Sequence, residues 1–177
     1  ITPPKENTMT YKIVSDSSSN IFALSGADYT SVPLKIIAGD KEYVDTPQLD
    51  LPGMIRDLQQ YKGKSGSSCP NVGEWLDAFE GEDDIFALTI SKNLSGSYNS
   101  ASQAAKVYME EHPGARVFIF DSLSAGPELM MIVDKIRLLE ERFGAMQDMA
   151  HAHGMEILWE NVYYGAVSGI EDFREIC

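Results

Sequence analysis

The stretch that most constrains this chain is Asp84–Ala101. Asp84-Ile-Phe-Ala-Leu-Thr-Ile90 is short, apolar and partly β-branched, the pattern of a buried strand. Beyond it, Tyr98, Ala101, Ala105 and Tyr108 recur at helical spacing. Between the two lies Ser91-Lys-Asn-Leu-Ser-Gly-Ser97, a loop of small hydroxyl residues around one glycine, Gly96. Two readings of this loop stand side by side. It can hold a small anionic head group, because glycine admits close approach and a helix start offers unpaired N–H groups and a positive dipole end. It can equally be an ordinary strand-to-helix turn with serine as the N-cap.

The same alternation runs through the chain. Tyr11–Ser15 reads as a first strand and leads into Asp16-Ser-Ser-Ser-Asn20. Val32–Ala38 is extended, turns at Gly39-Asp40 and returns through Glu42–Val44 as a hairpin. Asp50 is placed to cap a helix with Pro52 near its start and Leu51, Met54, Ile55, Leu58 and Tyr61 in one stripe. Gly63–Pro70 reads as a small-residue loop, and Asn71 with Glu74 has capping-box spacing ahead of Val72, Trp75, Leu76 and Phe79. Arg116–Phe120 is expected to be another buried strand, ending in Asp121-Ser-Leu-Ser-Ala-Gly126. A helix then carries Leu129, Val133, Ile136, Leu139 and Phe143. Strand and helix in turn imply an α/β fold, with a mainly parallel sheet flanked by helices and a small β-hairpin. Ala145–Ala152 can continue as helix, while Ile157–Val167 fits helix or strand.

With 177 residues the chain suffices for one α/β domain. The expected division is a disordered leader or cloning remnant over 1–8, a domain over 9–143 and an atypical tail over 144–177. No apolar run is long enough for a membrane helix. Two cysteines, Cys69 and Cys177, make no disulfide framework, which points to the cytoplasm. The net charge of −13, from 27 acidic and 14 basic residues without a basic cluster, argues against nucleic acid as a partner.

In an open parallel sheet, ligands sit beyond the carboxyl ends of the strands. Here those ends carry Asp16–Asn20, Ser91–Ser97 and Asp121–Ser124, with Gly66–Pro70 adding a fourth loop. This rim is rich in neutral donors and poor in cations, Lys92 being the exception. A phosphate recruits Arg or Lys, whereas a carboxylate needs only a few good donors, so the rim favours a carboxylate. Asp16 and Asp121 are expected to order their loops through local N–H groups.

Enzymatic readings fail on spacing. Gly63-Lys64-Ser65 resembles the end of a phosphate-binding P-loop, but the leading glycine would fall at Leu58. There is no Gly-x-Gly-x-x-Gly, and Leu94-Ser95-Gly96-Ser97 is not a Gly-x-Ser-x-Gly elbow. His112, His151 and His153 read as solvated, and the last two are wrongly spaced for a metal pair on a helix. Glu80–Asp84 lacks EF-hand spacing. Cys69 reads as a packing residue. No catalytic residue and no metal ligand is assigned.

Over roughly residues 11–140 the chain resembles the DegV-like fatty-acid-binding proteins. Ser15-Asp-Ser-Ser-Ser-Asn20 is similar to the family's Asp-Ser-x-x-Asp/Asn start, and Val32-Pro-Leu with the Gly39–Asp45 hairpin to its next segment. Ser67-Ser68-Cys69-Pro70-Asn71 stands where the family has Thr-Ser-Gln-Pro-Ser. Ile90 through Ala101 resembles its Ser-x-x-Leu-Ser-Gly-Thr-Tyr block, and Asp121-Ser122 with Ala125-Gly126 its Asp-Ser-x-x-x-Gly block. The resemblance implies a bacterial cytosolic carrier that needs no cofactor. It would bury a long-chain fatty acid between two domains and present the carboxylate to a fatty-acid kinase. Carried over by position, Ser67 and Ser95 are the head-group hydroxyls, with Ser68, Gly96 and Ser97 around them and Asp16, Ser17, Asp121 and Ser122 ordering the loops. The family's second domain, with its Gly-Gly-Arg-Ile segment and late histidine, has no counterpart here, so the chain reads as truncated or altered. Two rival functions follow: a small-molecule phosphotransferase or hydrolase on the same loops, and a half-domain that binds nothing. An apolar face left open by the missing domain is expected to drive C2 homodimerisation through Trp159–Tyr164.

Overall fold

The structure, a computed structural model, describes residues 11–81 and 84–152, with side chains through residue 139. The elements in order are β1 (Tyr11–Asp16), a 3₁₀ turn (Ser17–Ser19), β2 (Asp28–Val32), β3 (Lys35–Ala38), β4 (Lys41–Val44), α1 (Leu51–Gln60), β5 (Ser65–Ser68), α2 (Val72–Phe79), β6 (Asp84–Thr89), α3 (Ser97–Glu111), β7 (Arg116–Asp121) and α4 (Pro127–Ala152). The expectations for 1–8, for His153 and Cys177, for Ile157–Val167 and for a dimer through Trp159–Tyr164 lie outside the described residues. Helix α4 runs without a break through Gly144.

Four strands form a parallel sheet in the order β2-β1-β6-β7. Successive side chains on a strand point to opposite faces, so a strand covered on both sides is apolar throughout. Val14, Ile85 and Ala87 face α2 and α3, packing with Trp75, Phe79, Ala101, Ala104, Ala105 and Tyr108. The alternate residues Ile13 and Leu88 pack with Val133 and Ile136 of α4, flanked by Phe86 and Phe120. The alanines of α3 let that helix lie close to the sheet. Strand β7 departs from expectation: among the described residues it is an edge, not a buried centre, and Phe118 stays 41% exposed while stacking on Phe86.

A second, antiparallel sheet runs β4-β3-β5. The hairpin turns at Gly39-Asp40 as expected, with Gly39 at φ +63, where glycine carries no Cβ penalty. The segment read as a loop, Gly63–Pro70, instead contains β5. Its Ser-Gly-Ser-Ser sequence has little strand propensity, and pairing with β3 imposes the conformation. The polar edge strand β2 was also not visible as a separate element. Asp50 does cap α1, its side chain accepting from Gly53 N–H at 3.0 Å. Of the α1 stripe only Met54 is buried, while Leu51, Ile55 and Tyr61 remain exposed.

Helix α2 begins with a complete capping box. Asn71 Oδ1 accepts from Glu74 N–H at 3.0 Å, and Asn71 N–H donates to Glu74 Oε2 at 2.8 Å. The other Glu74 oxygen meets the Lys35 ammonium at 2.7 Å, joining α2 to the small sheet. At its far end, Lys12 Nζ donates to the Glu80 carbonyl at 2.7 Å, where the dipole favours a cation. Truncating fully buried Phe79 to alanine should cost about 3–5 kcal/mol in chemical denaturation. Asn71→Ala should cost only about 1 kcal/mol, since it removes one cap and leaves the core intact.

Candidate functional site

The carboxyl ends of β1, β6 and β7 lie side by side, because parallel pairing places Ser15 beside Leu88 and Thr89 beside Asp121. Asp16 ends β1 with its side chain fully buried. Its Oδ2 accepts from Ile90 N–H at 2.8 Å and from the Ser97 hydroxyl at 2.6 Å, and its Oδ1 from the Ser18 hydroxyl. Burial pushes the carboxyl above its ordinary value, and these neutral hydrogen bonds offset the shift only in part. One residue on, buried Ser17 accepts from Leu34 N–H at 3.0 Å. That bond sets where the chain leaves β2 for β3, and so brings the small sheet to the carboxyl edge of the large one.

The β7 end is joined to the same loop. Asp121 Oδ1 accepts from Lys92 N–H and Leu123 N–H, both at 3.1 Å. The second bond holds Leu123 at φ +54, in the left-handed region a leucine rarely enters. Ser91 N–H donates to the Ser124 carbonyl at 2.9 Å, and buried Ser122 closes its own turn through Ser124. Asp16, Ser17, Asp121 and Ser122 all therefore bond to the backbone or hydroxyls of these loops.

The serines assigned to the head group divide into two kinds. Ser97 is fully buried and its hydroxyl donates to Asp16, so its side chain faces inward and not to the rim, a correction to its place among the head-group residues. The Ser68 hydroxyl donates to the Cys69 carbonyl at 3.2 Å. Ser95 is half-buried, and its Oγ accepts from Ser97 N–H at 3.2 Å. An oxygen that accepts this bond keeps its own proton to donate. Ser67 is exposed, and its hydroxyl has no hydrogen bond among the described residues. Register places Ser67 on the face of β5 shared with Ile36 and Tyr43, the face over which Asp57 of α1 binds the Tyr43 hydroxyl at 2.7 Å.

Gly96, not a serine, is the N-cap of α3 and brings no side chain to cap it, while the first N–H of the helix, that of Ser97, goes to Ser95 Oγ. Its φ of −75° is available to any residue, so glycine is needed for space: a Cβ there would lie 3.2 Å from Cys69 Sγ. This contact brings the end of β5 against the Ser95 loop, and makes Cys69 a packing residue. No local pattern marks Leu34 and Ser124 as fasteners of these loops, because each acts through its backbone. Among the described residues no group of His, Cys, Asp and Glu is placed to hold a metal ion, and no helix is long and apolar enough to cross a membrane.

The raised Asp16 carboxyl has a consequence with a definite sign. The folded chain keeps this proton at pH values where the unfolded chain, near the ordinary 3.8, has lost it. The contribution of Asp16 to stability is therefore largest in acid and falls as pH rises from the ordinary aspartate range through the raised folded value. The stability of the wild type minus that of Asp16→Asn, from denaturation at a series of pH values, should decline over that interval and level above it. A pH-independent difference would show that burial does not control this group.

Comparison with known proteins places this geometry. The model of the DegV family, described as uncharacterised proteins, matches residues 10–148. A DegV domain-containing protein of Streptococcus gordonii is 40% identical over 135 residues, covering 74% of this chain and 48% of that protein. One from Streptococcus pneumoniae is 36% identical over 148 residues, covering 81% and 53%. Among solved structures, a DegV family protein from Eubacterium eligens loaded with heptadecanoic acid superposes with a TM-score of 0.73 at 40% identity, over 75% of this chain and 48% of that one. The Streptococcus pneumoniae Fatty Acid Kinase (Fak) B3 protein loaded with linoleic acid gives 0.72 at 38%, over 75% and 49%. The chain spans about half the length of these relatives. With the family matched across most of its residues, and with the α/β architecture those structures share, this chain belongs to the DegV family.

Proposed function

We propose that this chain is a fatty-acid carrier that holds the carboxylate of a long-chain acid at Ser95 and Ser67. The observation that carries the reading is Ser95: a half-buried hydroxyl with its proton unspent, at the start of a helix whose N-cap is a glycine. Such a start favours an anion through its N–H groups and dipole. The Cys69–Gly96 contact brings the end of β5, with Ser67, toward the same place. Two relatives of known structure are described with a fatty acid bound, which supports the choice of an acyl carboxylate over other small anions.

Apolar side chains are available to the acyl tail. Leu94 precedes Ser95 and is 69% exposed, and Leu51 and Ile55 on α1 are also open. Ile36 shares its sheet face with Ser67. The carrier role, not catalysis, fits the surroundings of Ser95: the buried carboxylate nearby, Asp16, is bonded to Ser97 and Ser18 and does not serve as a base for the Ser95 hydroxyl. The name of the Streptococcus pneumoniae relative supports a fatty-acid kinase as the partner, and such a partner supports a cytoplasmic carrier.

Mass spectrometry of an organic extract from purified protein should show co-purified long-chain acids. Ser95→Ala should weaken binding of such an acid by about 1.5–3 kcal/mol, the worth of a hydrogen bond to a charged group, with stability nearly unchanged. Ser97→Ala should do the reverse, costing about 1–3 kcal/mol of stability by leaving buried Asp16 short of a donor. Equal affinity of folded Ser95→Ala and wild type would sink the assignment.

A further inference from the structure

Neutral hydroxyls and N–H groups bind a carboxylate, but they discriminate weakly between an ionised acid and its neutral alcohol. A cation beside them discriminates strongly, because charge-assisted hydrogen bonds are roughly twice as strong as neutral ones. The loop that carries Ser95 contains such a cation. Leu94 N–H and Ser95 N–H both donate to the Ser91 carbonyl, at 2.9 and 3.2 Å, so Ser91–Ser95 wind as a single helical turn. Residues three apart on a helical turn stand on the same side, their Cβ atoms about 5–6 Å apart. Lys92 and Ser95 are such a pair.

The Lys92 side chain is 53% exposed and is held only loosely. Its ammonium stands 5.6 Å above the centroid of the Tyr98 ring and 3.4 Å from Asp121 Oδ2. That oxygen is buried and receives no hydrogen bond from the described residues, while its twin Oδ1 holds the two backbone N–H groups. Contact without a hydrogen bond, on a half-exposed side chain, leaves the ammonium free to turn. Lys12, Lys35, Lys41 and Arg116 are engaged elsewhere, with Glu80, Glu74, Asp57 and Asp84.

We propose that Lys92 is the charge-selecting residue of the head-group site, resting against Asp121 and the Tyr98 ring when no anion is bound and turning its ammonium to the carboxylate held at Ser95. This rests on the carrier reading and adds to it a residue that sets preference for acid over alcohol. Asp121 then has two separate duties. Oδ1 fixes the loop backbone, and Oδ2 competes with the ligand for the ammonium.

The test compares oleic acid with oleyl alcohol on the delipidated full chain by titration calorimetry. In Lys92→Met the preference for acid over alcohol should fall about three- to tenfold, and Lys92→Arg should restore it. Asp121→Asn keeps an acceptor for the two N–H groups and removes the competing charge, so its affinity for oleic acid should rise. A merely structural role for either residue predicts loss of both ligands together. An unchanged acid-to-alcohol ratio in Lys92→Met overturns the proposal, and a weaker oleic acid affinity in Asp121→Asn overturns the competition. A wild type that binds neither ligand overturns the carrier reading itself.

Discussion

Asp16 is fully buried at the end of β1, and the groups bonded to it are neutral: the hydroxyls of Ser18 and Ser97 and the backbone N–H groups of Ile90 and Ser18. A carboxylate taken from water without a cation is costly, and its raised pKa reports that cost. What the interaction secures is position. The two Oδ2 bonds reach Ile90 and Ser97, which are the first residue after β6 and the first residue of α3. Both ends of the intervening loop are thereby pinned to β1, and Ser95 is carried between them. Were the anchor a lysine–aspartate pair, a cation would sit under the rim and attract the ligand to the wrong place.

The same logic divides the hydroxyls of this chain. Ser17, Ser97 and Ser122 are buried and bonded within the protein, so they serve the fold. Ser67 and Ser95 keep their protons. The two sheets meet through such bonds and not through a shared apolar core: Ser17 fixes Leu34, and Lys35 reaches Glu74 at the start of α2. The small sheet with α1 therefore stands at the mouth of the large one, and leaves Leu51 and Ile55 uncovered where a stripe of that spacing would otherwise be taken for core.

Features fixed by neighbours in sequence were legible beforehand. The Asn71–Glu74 capping box, the Asp50 cap and the Gly39-Asp40 turn each close within three residues, and α2, α3 and α4 announce themselves by period. Features fixed by distant partners were not. Ser65–Ser68 becomes a strand only because β3 offers it an edge. The burial of Ser97 depends on Asp16, 81 residues away, and sequence alone cannot distinguish that serine from Ser95. Periodicity marked the α1 stripe as apolar but says nothing of what covers it. The edge position of β7 likewise follows from strand order, which no local pattern encodes.

A net charge of −13 sets the last constraint on the carrier reading. Its long-range field opposes a carboxylate, although salt screens it beyond about 8 Å at physiological ionic strength. On the carrier reading, affinity must then come from the tail. About sixteen CH₂ groups at about 0.8 kcal/mol each offer roughly 13 kcal/mol before the entropy of association is subtracted. The head group, at about 1.5–3 kcal/mol per good charged hydrogen bond, contributes less but decides which lipid is accepted. A rim of serines, backbone N–H groups and one movable lysine suits that division. Several fixed cations would hold any anion, phosphate included, whatever its tail, whereas a nearly neutral rim leaves the carboxylate of a long chain as the anion that gains enough elsewhere to stay.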